Sequence, residues 1–187
     1  VADNYTPEEY LFPITSKREV QKTSPVPEWI NLYDASLRTG DWAIGEVKRL
    51  LTEHKLYEKT IFILTSDHGE GFGEHGFIWH SGGIYDEVSH IPLLIRLPGK
   101  ITETKKISTL TETIDLLPTV YDLLKIPLPE EGVQGKSLLP LLSDEADKVR
   151  DYSYTRSDDP AKCMIRDEKH SLLLYDNPEW QALYDLE

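Results

Sequence analysis

The segment from Thr60 to Gly76 reads TIFILTSDHGEGFGEHG. Its apolar run Ile61-Phe62-Ile63-Leu64 stops at Ser66-Asp67-His68-Gly69-Glu70. A buried strand would thus deliver a carboxylate and an imidazole side by side into a glycine-rich loop. Carboxylate oxygen is a hard anionic donor that suits Ca²⁺, Mg²⁺ and Mn²⁺, and imidazole adds a nitrogen donor. Asp67 and His68 are therefore candidate metal ligands. Ligands of open α/β sheets bind beyond the carboxyl ends of the strands, where this pair falls. The alternative for Asp67 is a turn cap, and for His68 a histidine bonded to backbone at a strand end.

The elements around the pair follow from pattern. Residues 1–27 carry Pro7, Pro13, Pro25 and Pro27 and read as an extended lead-in. Ile30, Tyr33, Leu37, Ile44, Val47 and Leu51 keep helical spacing, which predicts an amphipathic helix from about Glu28 to His54 with one face on a sheet. Strands are expected at 60–66 and 91–96, with a long loop at 67–89 between them. Both strands are nearly all apolar, as in parallel sheets covered on both faces. A shorter strand near Ile107–Leu110 and a helix over Ile114–Leu124, capped by Thr113 or Asp115, come next. One helical turn is expected at Leu138–Leu142. After Val149 short alternating runs predict a small antiparallel sheet. The fold class expected is α/β: a partial parallel sheet with flanking helices over 1–147, and a β-rich subdomain over 148–187.

Composition narrows the function. The chain has 187 residues, 28% charged and 39% hydrophobic, which suits a globular domain. Its formal net charge of -13 argues against nucleic-acid binding. An anionic substrate would need a local positive centre, such as a metal. The single cysteine, Cys163, excludes an internal disulfide and a cysteine-based zinc site. No apolar run approaches the roughly 20 residues of a membrane span. Val1-Ala2-Asp3-Asn4 is polar and lacks an initiator Met, and both ends read as cut from something longer.

The order Thr65-Ser66-Asp67-His68-Gly69-Glu70, Gly73-Glu74-His75-Gly76, Tyr85-Asp86-Glu87, His90-Ile91-Pro92-Leu93-Leu94-Ile95 and Pro98-Gly99 resembles the sulfatase family of the alkaline phosphatase superfamily. Tyr33-Asp34-Ala35-Ser36 and Leu183-Tyr184-Asp185-Leu186 are weaker echoes of the same pattern. The resemblance covers nearly the whole chain but only the C-terminal half of the family's domain. It implies an alkaline-phosphatase-like sheet and a divalent metal, Ca²⁺ first and Mn²⁺ second, with Asp67 and His68 among its ligands. It implies hydrolysis of an anionic sulfate ester through a formylglycine nucleophile lying outside this chain, so the fragment alone is expected to be inactive. His80 stands where many relatives place a substrate-binding lysine. Its expected role is to contact the anion or protonate the leaving oxygen, favouring mildly acidic to neutral conditions; the alternative is a surface loop histidine. His75 and Glu70 read as supports, and His54, His90 and His170 as structural or surface positions. Phosphoryl or phosphonate ester hydrolysis, phosphoglycerol transfer, and a non-catalytic binding or structural module are the competing readings. Self-association through an exposed sheet is also expected.

Overall fold

The computed structural model describes residues 26–75, 78–80, 84–101, 103–129, 131–157, 162–177 and 181–186. They fall into two compact units. The first holds the chain up to Thr65 together with Glu70–Trp79 and Leu93–Lys100; the second holds Ser66–Gly69, His80–Pro92 and Ile101–Glu187. The lead-in read at 1–27 lies almost wholly outside the described residues.

In the first unit, helix α1 spans Val26–Glu53. Its end is set by Lys55 in the left-handed region (φ 57°). The N–H of Leu56 then bonds the Leu51 carbonyl at 2.7 Å, and that of Lys55 bonds Thr52 at 3.0 Å. These two bonds satisfy carbonyls that a helix end leaves open. A 3-10 turn, Tyr57–Lys59, precedes strand β1, Phe62–Thr65. β1 pairs with β4, Leu93–Arg96, from Phe62 opposite Arg96 to Thr65 opposite Leu93. Arg96 ties this sheet to the preceding turn. It donates to the Tyr57 carbonyl at 2.7 Å, grips both Glu58 oxygens at 2.8 Å, and lies 3.8 Å over the Tyr57 ring.

The pair runs antiparallel, which corrects the parallel orientation expected from its apolar composition. A parallel partner needs a crossover that returns the chain to the same end, usually by a long helix. Among its described residues the segment between β1 and β4 instead holds a hairpin of two-residue strands, β2 (Gly71–Phe72) with β3 (Ile78–Trp79), and the one-turn helix α2, Asp86–Ser89. Antiparallel strands on otherwise parallel sheets are common in α/β folds. A groove of about 290 Å³ runs between α1 and the strand pair, lined by Ile44, Lys48, Tyr57, Phe62, Leu64 and Leu94, among others. Leu94 is 58% exposed, and Leu37, Trp42, Val47 and Leu50 on α1 are also open to solvent.

In the second unit, a 3-10 turn at Thr113–Asp115 leads into α3, Leu116–Leu124, and α4 covers Leu139–Leu142. The strand expected near Ile107–Leu110 is absent: that stretch has no ladder partner among the described residues. The C-terminal sheet forms as four antiparallel strands in sequence order: β5 Ser153–Arg156, β6 Lys162–Arg166, β7 His170–Tyr175 and β8 Ala182–Asp185. Alternation along β7 buries Ser171 and Leu173 and leaves Leu172 between them less covered. Ile84, Met164 and Leu173 form the core of this unit, with Tyr85, Tyr175 and Ala182 packed around them. Among the described residues no helix is long and apolar enough to cross a membrane.

Candidate metal centre

Asp67 and His68 leave β1 at its carboxyl end. The His68 N–H donates to Asp67 Oδ1 at 3.0 Å. That bond, then the N–H of Asp67 itself and the nearby His68 ring, holds the Asp67 carboxyl below its ordinary value. The carboxylate side chain is 86% exposed. It is thus gripped from the backbone side and open on the other.

The His68 ring is oriented by the next residue. Its Nδ1 lies 2.8 Å from the Gly69 carbonyl. A carbonyl only accepts, so Nδ1 carries a hydrogen, and in the neutral ring Nε2 then presents its lone pair. Nε2 lies 3.7 Å from Asp67 Oδ2. Ser66 Oγ donates to the His68 carbonyl at 2.6 Å, fixing the backbone behind the ring.

Gly69 locks this turn onto α2. Its N–H donates to the Val88 carbonyl at 2.7 Å. A Cβ at position 69 would stand 2.1 Å from the Glu87 carbonyl oxygen, closer than atoms can approach. Glycine is required here by space.

His80 stacks on His68, with ring centroids 4.0 Å apart and planes inclined by 25°. The three residues singled out from the sequence therefore lie together, although twelve positions separate His68 from His80 in the chain. Trp79, immediately before His80, has φ 85°, an uncommon backbone state for a bulky residue. Glu74 caps the hairpin turn, accepting from the Phe72 N–H at 2.6 Å. His90 closes α2 through a backbone bond to Asp86, and His170 opens β7 with its N–H donated to Asp167 Oδ1.

One carboxylate oxygen and one imidazole nitrogen, 3.7 Å apart, fit two places in the shell of one divalent cation. Donors about 2.0–2.5 Å from a shared ion lie at such separations. Among the described residues no group of three or more His, Cys, Asp or Glu is placed to hold a metal. The described residues offer two donors and not a full shell.

Sequence reasoning missed what stands behind the pair: Ser66, the Gly69–Val88 bond, and contacts from Tyr85 and Asp86 to the C-terminal sheet. The glycine had a signal, since it follows the pair directly. The distant contacts had none.

The sequence matches the Sulfatase family over residues 2–126. The chain belongs to the sulfatase family. It also matches the family described as N-sulphoglucosamine sulphohydrolase, C-terminal, over residues 73–187. The chain is 37% identical to arylsulfatase K of Gallus gallus over 115 residues, which is 62% of this chain and 21% of that protein. It is 35% identical to an uncharacterized sulfatase of Escherichia coli (strain K12) over 161 residues, 82% of this chain and 31% of that protein. Among solved structures it resembles a phosphonate monoester hydrolase from Silicibacter pomeroyi with a TM-score of 0.80 and 28% identity, over 95% of this chain and 39% of that one. A protein solved in complex with its substrate D-glucosamine-2-N,6-O-disulfate aligns with a TM-score of 0.76 and 26% identity, over 93% and 37% of the two chains. The sulfatase chain described here thus spans about a fifth to two fifths of the length of these relatives. Their fold is the alkaline-phosphatase-like α/β fold expected from the sequence, and the small antiparallel sheet expected beside it is present in this chain.

Proposed function

We propose that the full-length protein is a metal-dependent sulfuric ester hydrolase, with Asp67 and His68 supplying part of the metal shell. The convergence of Asp67 Oδ2 and His68 Nε2 at 3.7 Å carries the reading. The bound divalent ion, Ca²⁺ first and Mn²⁺ second, would neutralise charge on the transferred group and orient the nucleophile. The remaining ligands and the formylglycine nucleophile would come from outside residues 1–187, so this polypeptide alone does not turn over.

The chain's own residues have separable tasks. Asp67 stays ionised because backbone N–H groups hold its carboxylate. His68 stays in the tautomer that leaves Nε2 open, because the Gly69 carbonyl takes the other hydrogen. His80, stacked on the His68 ring, stands beside the donor pair and contacts the anionic oxygens of the substrate. The neighbour solved with a disulfated glucosamine supports a sulfated sugar as the ester.

The test is hydrolysis of an aryl sulfate by the full-length protein before and after chelation. Activity should fall at least about a hundredfold on chelation or in Asp67→Ala. His80→Ala should raise KM more than it lowers kcat. Full activity after chelation, or in Asp67→Ala, overturns the reading.

The likeness to a phosphonate monoester hydrolase favours a second reading, phosphonate or phosphate ester hydrolysis. Comparing kcat/KM for aryl sulfate and aryl phosphonate substrates decides between them.

A further inference from the structure

We propose that Asp86 and Arg166 are positioning residues through which the C-terminal sheet sets the Asp67–His68 pair. The inference rests on the reading of that pair as metal ligands. Every contact in the argument lies within the second unit.

The route begins on the sheet. Arg166, at the end of β6, forms an ion pair through Nη1 with Asp86 Oδ2. The pair is only part-exposed, with side chains 24% and 43% open. Asp86 opens α2, yet its carboxylate is turned to the sheet and does not cap its own helix. Next to it, the Tyr85 hydroxyl lies 3.3 Å from that of Tyr175 on β7. This bond, then burial, raises the Tyr85 hydroxyl above its ordinary value, so it stays protonated. The Tyr85 ring also meets Tyr184 of β8 edge-on at 6.4 Å. Beneath them Ile84, 1% exposed, packs on Met164 and Leu173. The segment 84–86 is thus fastened to three strands by an ion pair, a hydroxyl pair and a core residue.

A one-turn helix has little stability of its own. Where α2 sits is therefore decided by what holds it, which is the sheet. The opposite end of α2 holds the candidate site. The Val88 carbonyl takes the Gly69 N–H, and the Glu87 carbonyl leaves no space for a side chain at position 69. The Gly69 carbonyl in turn orients His68. A shift of α2 by a fraction of an ångström must move the atom that selects the His68 tautomer.

Groups behind metal ligands typically change affinity about 10–100-fold when removed. Full-length wild type, Arg166→Met, Tyr175→Phe, Asp67→Ala and the exchanged pair Asp86→Arg/Arg166→Asp are stripped with chelator. Each is titrated with Ca²⁺ alone, then Mn²⁺ alone, by calorimetry, with thermal unfolding of the metal-free proteins alongside. Arg166→Met should bind about 10–100-fold more weakly. The exchanged pair should recover most of that loss, and Tyr175→Phe should lose several-fold. Wild-type affinity in Arg166→Met, with binding lost in Asp67→Ala, overturns the inference and leaves the metal-centre reading standing. A lower unfolding temperature with unchanged affinity also overturns it, because the pair would then support the fold alone. Wild type binding neither ion overturns both. If Arg166→Met does not fold, Tyr175→Phe and the exchanged pair carry the same test, and unchanged affinity in both rejects the inference.

Discussion

Asp67 and Asp115 are both carboxylates at the edge of a regular element, and the second unit treats them in opposite ways. Asp115 is wholly buried. Its Oδ1 accepts from the Lys136 N–H at 2.8 Å and from Arg150, and its Oδ2 from the Glu112 N–H at 2.8 Å. Arg150, whose side chain is 9% exposed, also pairs with Glu112. Asp67 has one oxygen on a backbone N–H and the other facing an imidazole, with most of its surface in solvent. Both are flanked by a glycine pressed against a carbonyl: Gly69 on Glu87, and Gly135 on Ile114, where a Cβ would stand 2.0 Å from oxygen. The same close backbone approach therefore serves two ends. Where the carboxylate's acceptor sites are filled by the chain, it fastens elements together. Where one side is gripped and the other left open, it is ready for a ligand.

The contrast predicts a ranking of stability effects. Arg150→Met leaves the buried Asp115 and the part-buried Glu112 carboxylates uncompensated and should cost about 3–5 kcal/mol in denaturant unfolding. A loss under about 1 kcal/mol would mean the network is not the fastening described. Gly69→Ala drives a Cβ into the Glu87 carbonyl and should cost about 1–3 kcal/mol, because backbone must move. It should also weaken cation binding, which Arg150→Met, acting away from the pair, should not. Asp67→Asn should lower the unfolding midpoint far less than Gly69→Ala does while abolishing metal affinity; a drop as large as that of Arg150→Met would make Asp67 a structural residue like Asp115.

The smallest effect concerns Asp167, a gripped carboxylate that only builds a turn. It accepts from the Lys169 N–H at 2.7 Å and the His170 N–H at 2.6 Å, in that order of influence, and its carboxyl is lowered. A depressed folded value means its contribution is complete above the unfolded value of about 3.9 and fades as pH falls through the folded one. Asp167→Asn should therefore narrow the stability gap to wild type only under acid, with no change in the difference between pH 6 and pH 8.

The sequence made the chemistry more legible than the framework. Ile61–Leu64 ending at Asp67-His68 located the candidate pair, because an apolar run and its sudden stop are local signals. The helix at Val26–Glu53 and the strands of the C-terminal sheet were visible for the same reason. The direction of β1 against β4 was hidden, since apolar periodicity carries no orientation. The hairpin Gly71–Phe72 with Ile78–Trp79 was hidden because two-residue strands show no period. Asp115 read only as a cap, because Arg150 lies 35 positions away and nothing local announces it.

The dependence of Gly69 on Val88, and of Ile84 on Leu173, has a consequence for biosynthesis. A ribosome releases Asp67 and His68 well before it releases the strand that anchors the segment behind them. A nascent chain halted ahead of Leu173 carries both donors in its sequence without the scaffold that aims them. On the proposed reading of the pair as metal ligands, cation capture during translation waits for the last strands to emerge.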